Sequence, residues 1–271
     1  MSILKEIIAH KQKEVKERKG LFPVKLLEQS IYFDTEPVSL VKYIRRDDKE
    51  GIIAEIKRKS PSKGLINAQI SIERTSIGYM QAGASGLSIL TDQKYFGGKN
   101  EDLSVARSFN FCPILRKDFI IDEYQILEAK SIGADVILLI AAILSKEKIA
   151  EYTRLAHTLG MEVLLEVHSH EEFDQSFTDE VDLLGVNNRD LNTFKTDVNT
   201  SVNLSSQIPS TVVKVSESGI SEPEKVVQLK EHGFEGFLIG EYFMQFGRPD
   251  KACREFIKKI NLLQSEKISE S

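Results

Sequence analysis

Glu55, Lys57, Lys117, Glu166, Asn187 and Glu217 share one feature: each stands at or just past the end of a short apolar run. Side chains of an extended strand alternate between two faces. Ile53, Glu55 and Lys57 therefore fall on one face, with Ala54 and Ile56 on the other. The same parity joins Leu115 to Lys117, Leu164 to Glu166 and Val215 to Glu217, and Asn187 ends the run Val181 to Val186 in the same way. If the aliphatic faces meet helices, these polar groups converge on one interior. Unpaired ions out of water are costly. Two lysines and three glutamates can neutralise one another and still perform acid–base work. Burial and nearby cations would lower a lysine's pKa, while carboxylates oppose that shift. The direction for Lys57 and Lys117 stays open at this level.

A second set of residues suits an anion. Ser60-Pro-Ser-Lys-Gly-Leu follows the first run, Glu217-Ser-Gly-Ile the seventh and Ile239-Gly-Glu the eighth. Glycine lets backbone N–H groups approach phosphate closely, and a short helix starting near Gly240 would add its N-terminus. Other chemistry-bearing types have plainer readings. His168 and His170 lie past a run's end with no further ligand in spacing, so no metal site is expected. Arg58, Lys59 and Lys63 read as loop solvation with some attraction for an anionic substrate. Cys112 reads as packing, and Tyr95-Phe96-Gly-Gly as either a flap or an ordinary turn.

The elements that must hold these groups recur regularly. Apolar runs fall at Ile52 to Ile56, Leu87 to Leu90, Pro113 to Leu115, Val136 to Ile140, Val163 to Val167, Val181 to Val186, Val212 to Val215 and Phe237 to Ile239. Their mean spacing is about 26 residues, enough for a strand, a helix and two loops. Helix-ending Gly83, Gly133 and Gly233 each precede the next strand, and Ser221 to Glu224 reads as a capping box with Pro223 in the first turn. Eight such units predict an α/β fold of the (β/α)8 TIM barrel type, whose active sites sit at the C-terminal ends of the strands. Residues 1–50 stand outside the repeat. Ile3, Leu4, Ile7 and Ile8, with the charged run from Lys11, predict an amphipathic helix with a charged outer face. Two shorter helices follow, and the three together are expected to cover one end of the barrel. The division is thus a helical extension (1–50), a barrel (51–262) and a polar tail (263–271) expected to fray.

Composition narrows the class. The 271 residues carry 36 Lys and Arg against 41 Asp and Glu, for a formal charge of −5. That balance argues against nucleic-acid binding, which needs a cationic surface. Two cysteines far apart argue against a disulfide scaffold. No apolar run reaches the length of a membrane span, and the N-terminus lacks a secretory signal. A cytoplasmic protein is expected, as a monomer rather than a dimer.

Longer segments carry a resemblance. Ile53-Ala-Glu-Ile-Lys-Arg-Lys-Ser-Pro-Ser-Lys-Gly, Pro113-Ile-Leu-Arg-Lys-Asp-Phe-Ile and Leu164-Leu-Glu-Val-His resemble segments of the indole-3-glycerol-phosphate synthase family. So do Gly185-Val-Asn-Asn-Arg-Asp-Leu, Val213-Lys-Val-Ser-Glu-Ser-Gly-Ile and Phe237-Leu-Ile-Gly-Glu. The likeness spans essentially the whole chain. It implies a cofactor-free lyase of tryptophan biosynthesis that converts 1-(2-carboxyphenylamino)-1-deoxyribulose 5-phosphate, a phosphorylated anthranilate derivative, to indole-3-glycerol phosphate, carbon dioxide and water. It further implies Lys117 as general acid, Glu166 as its acid–base partner, Glu55 and Lys57 in dehydration, and Asn187 and Glu217 orienting the intermediate. Ser60, Ser218, Gly219, Gly240 and Glu241 match the phosphate-holding positions. Phe96, Phe119, Leu138 and Leu191 match the apolar walls, with Arg189 beside them. A phosphoribosylanthranilate isomerase or a non-catalytic phosphate-binding protein are the alternatives.

Overall fold

The computed structural model describes residues 3–190 and 193–270, with side chains through 267. Parallel strands close into a ring: β1 (Ile52–Ile56), β2 (Gly86–Leu90), β3 (Ile114–Lys117), β4 (Val136–Ile140), β5 (Glu162–Val167), β6 (Leu183–Asn187), β7 (Val213–Glu217) and β8 (Gly236–Ile239). Each strand pairs with its neighbours in sequence, and β8 closes on β1 with Ile52 opposite Phe237 and Ala54 opposite Ile239. This is the eight-stranded α/β barrel that the spacing predicts. Two strands run two residues past the ends of their apolar runs. β3 begins after Pro113, which has no N–H to pair, and both β3 and β7 continue into their terminal charged residues. A two-residue hairpin, Lys59–Ser60 against Gly64–Leu65, shapes the loop after β1.

Around the ring run α1 (Ile3–Leu21), α2 (Val24–Leu27), α3 (Leu40–Ile44), α4 (Ile72–Ala82), α5 (Gln93–Phe96), α6 (Asn100–Phe109) and α7 (Tyr124–Ser131). They are followed by α8 (Lys146–Thr158), α9 (His170–Ser176), α10 (Asn199–Leu204), α11 (Pro223–Glu231), α12 (Glu241–Met244) and α13 (Pro249–Glu270). Strand alternation divides the core in two. Ile52, Ala54 and Ile56 pack outward against the helices, whereas Ile53, Leu115, Leu164 and Val215 fill the interior. Gly83 ends α4 in the left-handed region at φ 106°, where a Cβ would be strained.

Three sequence expectations change here. Ser221 does not cap α11: the cap position is Glu222, extended at φ −127°, because a residue before proline avoids the helical region. The polar stretch expected to fray from Gln264 is helical to Glu270, with Gln264 Nε2 donating to Glu50 Oε2 at 3.1 Å and Lys267 paired with Glu231. The N-terminal helices do not share one end of the barrel. α3 plugs the end where the strands begin: Leu40 and Ile44 join the interior cluster, and the Glu162 carboxylate accepts the N–H groups of Leu40 (2.7 Å) and Val41 (3.1 Å). α1 lies at the opposite rim, where Ile3, Leu4 and Ile7 line the central cavity.

One ion cluster holds α1 down. Ile7, Lys11 and Val15 form a buried stripe at four-residue spacing. Lys11 is only 1 % exposed, not part of the charged outer face. Its Nζ lies 2.9 Å from Asp92 and 2.9 Å from Asp118, which follow β2 and β3. The fully buried Arg116 guanidinium continues the chain, at 3.2 Å from Asp118 and 2.6 Å from Glu128, and Glu128 returns to Arg18 of α1. Burial alone would raise the Asp118 carboxyl, but Lys11 and Arg116 outweigh it and hold it well below the usual range.

Replacing Lys11 by methionine leaves two carboxylates without their ammonium, and should destabilise the fold by about 3–5 kcal/mol in urea titrations at pH 7. The Asp118 pKa is depressed on folding, so its contribution is complete above the ordinary carboxylate range near pH ~4 and is lost as pH falls below it. The gap between wild type and Lys11→Met should therefore narrow toward pH ~3; a constant gap would contradict this account.

Candidate active site

Five strands deliver charged or amide groups to one cavity of about 310 Å³ at the rim covered by α1. Lys117, at the end of β3, points its Nζ at Glu166 Oε2 of β5 (3.0 Å) and at a carboxylate oxygen of Glu217 on β7. Lys57, just past β1, meets Glu55 Oε1 at 2.8 Å, and Ser88 Oγ of β2 donates to Glu55 Oε2 at 3.4 Å. Asn187 of β6 hydrogen-bonds Glu166 and accepts the Arg189 N–H at 3.0 Å. These positions follow from parity: the residues two before Glu55, Lys117, Glu166 and Glu217 all lie in the interior cluster.

The electrostatics separates the carboxylates. Burial would lower the Lys117 ammonium, but Glu217, Glu166 and Glu55 outweigh it and raise its pKa. Burial would likewise raise Glu166, yet Lys117 and His168 bring it down to about 2. Burial pushes Glu217 up to about 7; Lys117 opposes the rise, and Glu166 and Glu55 add to it. Near neutrality the cavity thus holds an ammonium, an ionised carboxylate and a carboxyl close to its titration point, a set able to give and take protons.

Two glycines make room for these carboxylates. A Cβ on Gly185 would stand 2.1 Å from Glu217 Oε1, and one on Gly240 would stand 2.4 Å from Glu55 Oε1. Gly240 follows β8, where the sequence predicts anion approach, and its lack of a side chain equally admits Glu55. The apolar wall comprises Phe96, at the end of α5, Phe119 after β3 and Leu138 on β4, the two rings 6.1 Å apart between centroids. The Tyr95-Phe96 segment is a capped turn: Asp92 accepts the Tyr95 N–H at 2.7 Å, and Tyr95 Oη donates to Glu6 of α1 at 3.2 Å. Leu191 lies outside the described residues.

Opposite the aromatic wall stand the loops expected to hold an anion. Ser60, Ser218, Gly219, Gly240 and Glu241 all border the cavity. Ser218 (φ 67°) and Gly219 (φ 73°) are consecutive left-handed residues that turn the chain sharply out of β7, and a serine held there stores about 1 kcal/mol of strain or more. Arg189 lines the same cavity as Phe96, Phe119 and Leu138. Its guanidinium reaches Glu241 Oε2 (3.0 Å) and Ser62 Oγ (3.1 Å), drawn to the anion-side loops by the Glu241 carboxylate. Of the basic loop cluster, Arg58 is committed to Asp102 and to the Gly97 carbonyl (3.0 Å), and Lys59 donates to the Lys94 carbonyl at 2.6 Å. Lys63 alone of the three stays exposed near the rim, 3.7 Å from Glu241.

The sequence profile of the indole-3-glycerol phosphate synthase family matches residues 4–256. A Bacteroides thetaiotaomicron protein of that name is 49 % identical over 258 residues, covering 95 % of this chain and 98 % of its own. Proteins of the same name from Acinetobacter baylyi (41 % over 255 residues, 94 % and 95 % covered) and Caldanaerobacter subterraneus subsp. tengcongensis (40 % over 260 residues, 95 % and 98 %) are also similar. The chain belongs to the indole-3-glycerol phosphate synthase family. It is accordingly a decarboxylating lyase of tryptophan biosynthesis. Within this family frame, several cavity residues escaped the strand-end pattern. Ile3, Leu4 and Ile7 arrive from α1, and Phe194 and Thr196 from the loop after β6. Ile3, Leu4 and Ile7 carry only the helical apolar spacing of α1, and Phe194 and Thr196 fall outside every pattern read from the sequence. His168 and His170 part company, His168 turning to Glu166 (3.4 Å) and His170 to Gln207 (2.6 Å).

Gly185→Ala should displace Glu217 without unfolding the barrel. Since a misplacement of about 1 Å can cost roughly a hundredfold in rate, kcat should fall by about that factor with an unchanged circular dichroism spectrum; wild-type turnover would show that Glu217 needs no such space.

Proposed function

We propose that Lys117 is the principal general acid of the family reaction on 1-(2-carboxyphenylamino)-1-deoxyribulose 5-phosphate. The observation that carries this reading is the Lys117 ammonium held by Glu166 and Glu217 at the centre of the cavity, between an apolar wall and an anion-side loop set. The anthranilate ring lies against Phe96, Phe119 and Leu138, and the phosphate near Ser60, Ser218, Gly219, Gly240 and Glu241. Glu241 serves there through its backbone N–H, because its side chain is engaged by Arg189. The phosphate contributes binding energy remote from the reacting carbons, which positions them for attack.

The ring carbon that bears the carboxylate attacks the ribulose carbonyl, and Lys117 protonates the developing alkoxide, where a cation stabilises it most. The carbon–carboxylate bond then breaks, carbon dioxide leaves and the ring electrons return. Loss of the new hydroxyl as water needs an acid, and loss of a proton from the five-membered ring needs a base. Glu166 and the Glu55–Lys57 pair stand ready for these transfers, while Asn187 and Glu217 orient the intermediate. The cavity's donors and acceptors are complete within one chain, so the scheme needs no second copy, and a monomer is part of the proposal. A cytoplasmic setting, without a nucleic-acid or membrane partner, is supported by the net charge of −5 and by the finding that no described helix is long and apolar enough to cross a membrane.

Lys117→Ala tests the reading. With the purified variant and the ribulose phosphate substrate, indole absorbance should rise at least about a thousandfold more slowly than with wild type, while circular dichroism stays the same. Turnover within tenfold of wild type, roughly, would remove Lys117 from the acid role.

A further inference from the structure

Ring closure, decarboxylation and dehydration do not balance in protons within the substrate alone. The ionised carboxylate leaves as neutral carbon dioxide. The carbonyl oxygen takes one proton to become a hydroxyl and a second to leave as water, and one proton is released as the indole double bond forms. Two taken and one released leave a net uptake of one proton per turnover. Lys117 gives the first and the Glu55–Lys57 pair can give the second, so the net proton has to come back to the spent Lys117 amine from a store beside it. On the functional reading above, we propose that His168 stores this proton and delivers it to Lys117 through Glu166.

The geometry is a line of four groups. His168 lies two residues beyond Glu166, and its Nε2 stands 3.4 Å from Glu166 Oε1. The other oxygen of Glu166, Oε2, is 3.0 Å from Lys117 Nζ. On the far side, His168 Nδ1 lies 3.0 Å from Glu172 Oε2 of α9, which also accepts the His168 backbone N–H at 2.8 Å. A carboxylate in that place keeps the proton on Nδ1 and makes Nε2 the exchanging nitrogen. Among the described residues Nε2 is buried and has no aligned hydrogen-bond partner, so the carboxylate oxygen of Glu166 is its available acceptor.

Charged groups face the ring from several elements: Glu166 on β5, Glu172 on α9 and Glu217 on β7. Arg189, Asp190, Lys195 and Asp197, from the loop after β6, lie across a side cavity of about 460 Å³. Burial disfavours the imidazolium, but Glu172, Glu166 and Glu217 outweigh it and raise the ring's pKa. The ring is therefore charged below that pKa and loses its stored proton as pH rises through it. In the transfer, the Nε2–H bond breaks and an O–H bond forms on Glu166. Rotation of the Glu166 carboxyl turns that O–H toward Lys117, where the O–H bond breaks and an N–H bond forms on the neutral amine, restoring the one spent on the carbonyl oxygen. The ring is left neutral, with Nδ1–H on Glu172, and solvent recharges Nε2 after product leaves.

His168 acts through Glu166, so it is a positioning and proton-storing residue, and the test reads pH dependence. In His168→Gln, kcat at neutral pH should fall on the order of tenfold to a hundredfold, with KM within about twofold of wild type. Wild type should lose kcat on the alkaline side as the ring gives up its proton, that loss should disappear from the variant's profile, and free imidazole should restore turnover in His168→Ala. Glu172→Gln, which keeps the ring in place, should move that alkaline limb to lower pH. The inference falls if His168→Gln keeps the wild-type kcat and limb, which would assign the stored proton to Glu217. It falls equally if His168→Gln loses its fold and Glu172→Gln leaves the limb unmoved. Absence of indole formation by wild type would instead overturn the functional reading itself.

Discussion

An ammonium group inside a barrel is stable only where carboxylates meet it, and Lys117 meets two. That contact organises the cavity. Glu166 and Glu217 arrive on strands that are not each other's neighbours, so their approach to one nitrogen depends on closure of the ring and on the register that sets Glu166 beside Gly185 and Asn187 beside Glu217. Lys117 and His168 hold Glu166 ionised, while burial and the neighbouring carboxylates bring Glu217 close to titration against the pull of Lys117. A dry interior strengthens every such contact and penalises every unpaired charge. The strand-end charges are therefore a constraint on the fold as well as the means of its chemistry.

The N-terminal helices link stability to the site from opposite directions. α3 plugs the end where strands begin, its first N–H groups taken by Glu162. α1 roofs the other end through Lys11, whose partner Asp118 sits between Lys117 and Phe119 in the chain. The cover and the acid strand thus share one ion cluster. This arrangement also explains how residues as distant in sequence as Ile3 and Gly240 border the same cavity.

Backbone room matters as much as side-chain identity. Gly185 and Gly240 lie against the Glu217 and Glu55 carboxylates at distances that no Cβ could occupy. Beside them, Ser218 holds a left-handed conformation that serine rarely adopts. Strain and vacancy at the ends of β6, β7 and β8 are the local conditions for placing charged groups and anion-binding loops side by side.

The eight units and the inward parity of Glu55, Lys117, Glu166 and Glu217 were determined by sequence alone. Alternation with period two and burial against helices are local rules, and these strands obey them. The pairing of Lys117 with both Glu166 and Glu217 was decided by tertiary structure, because it depends on separations across the ring that no periodicity encodes. So was the burial of Lys11. Its charge suits an exposed helix face, and only Asp92 and Asp118, about 80 and 107 positions away, make the opposite placement favourable. His168 belongs to the same class: a histidine past a strand end has no single meaning until Glu166 and Glu172 stand on either side of its ring.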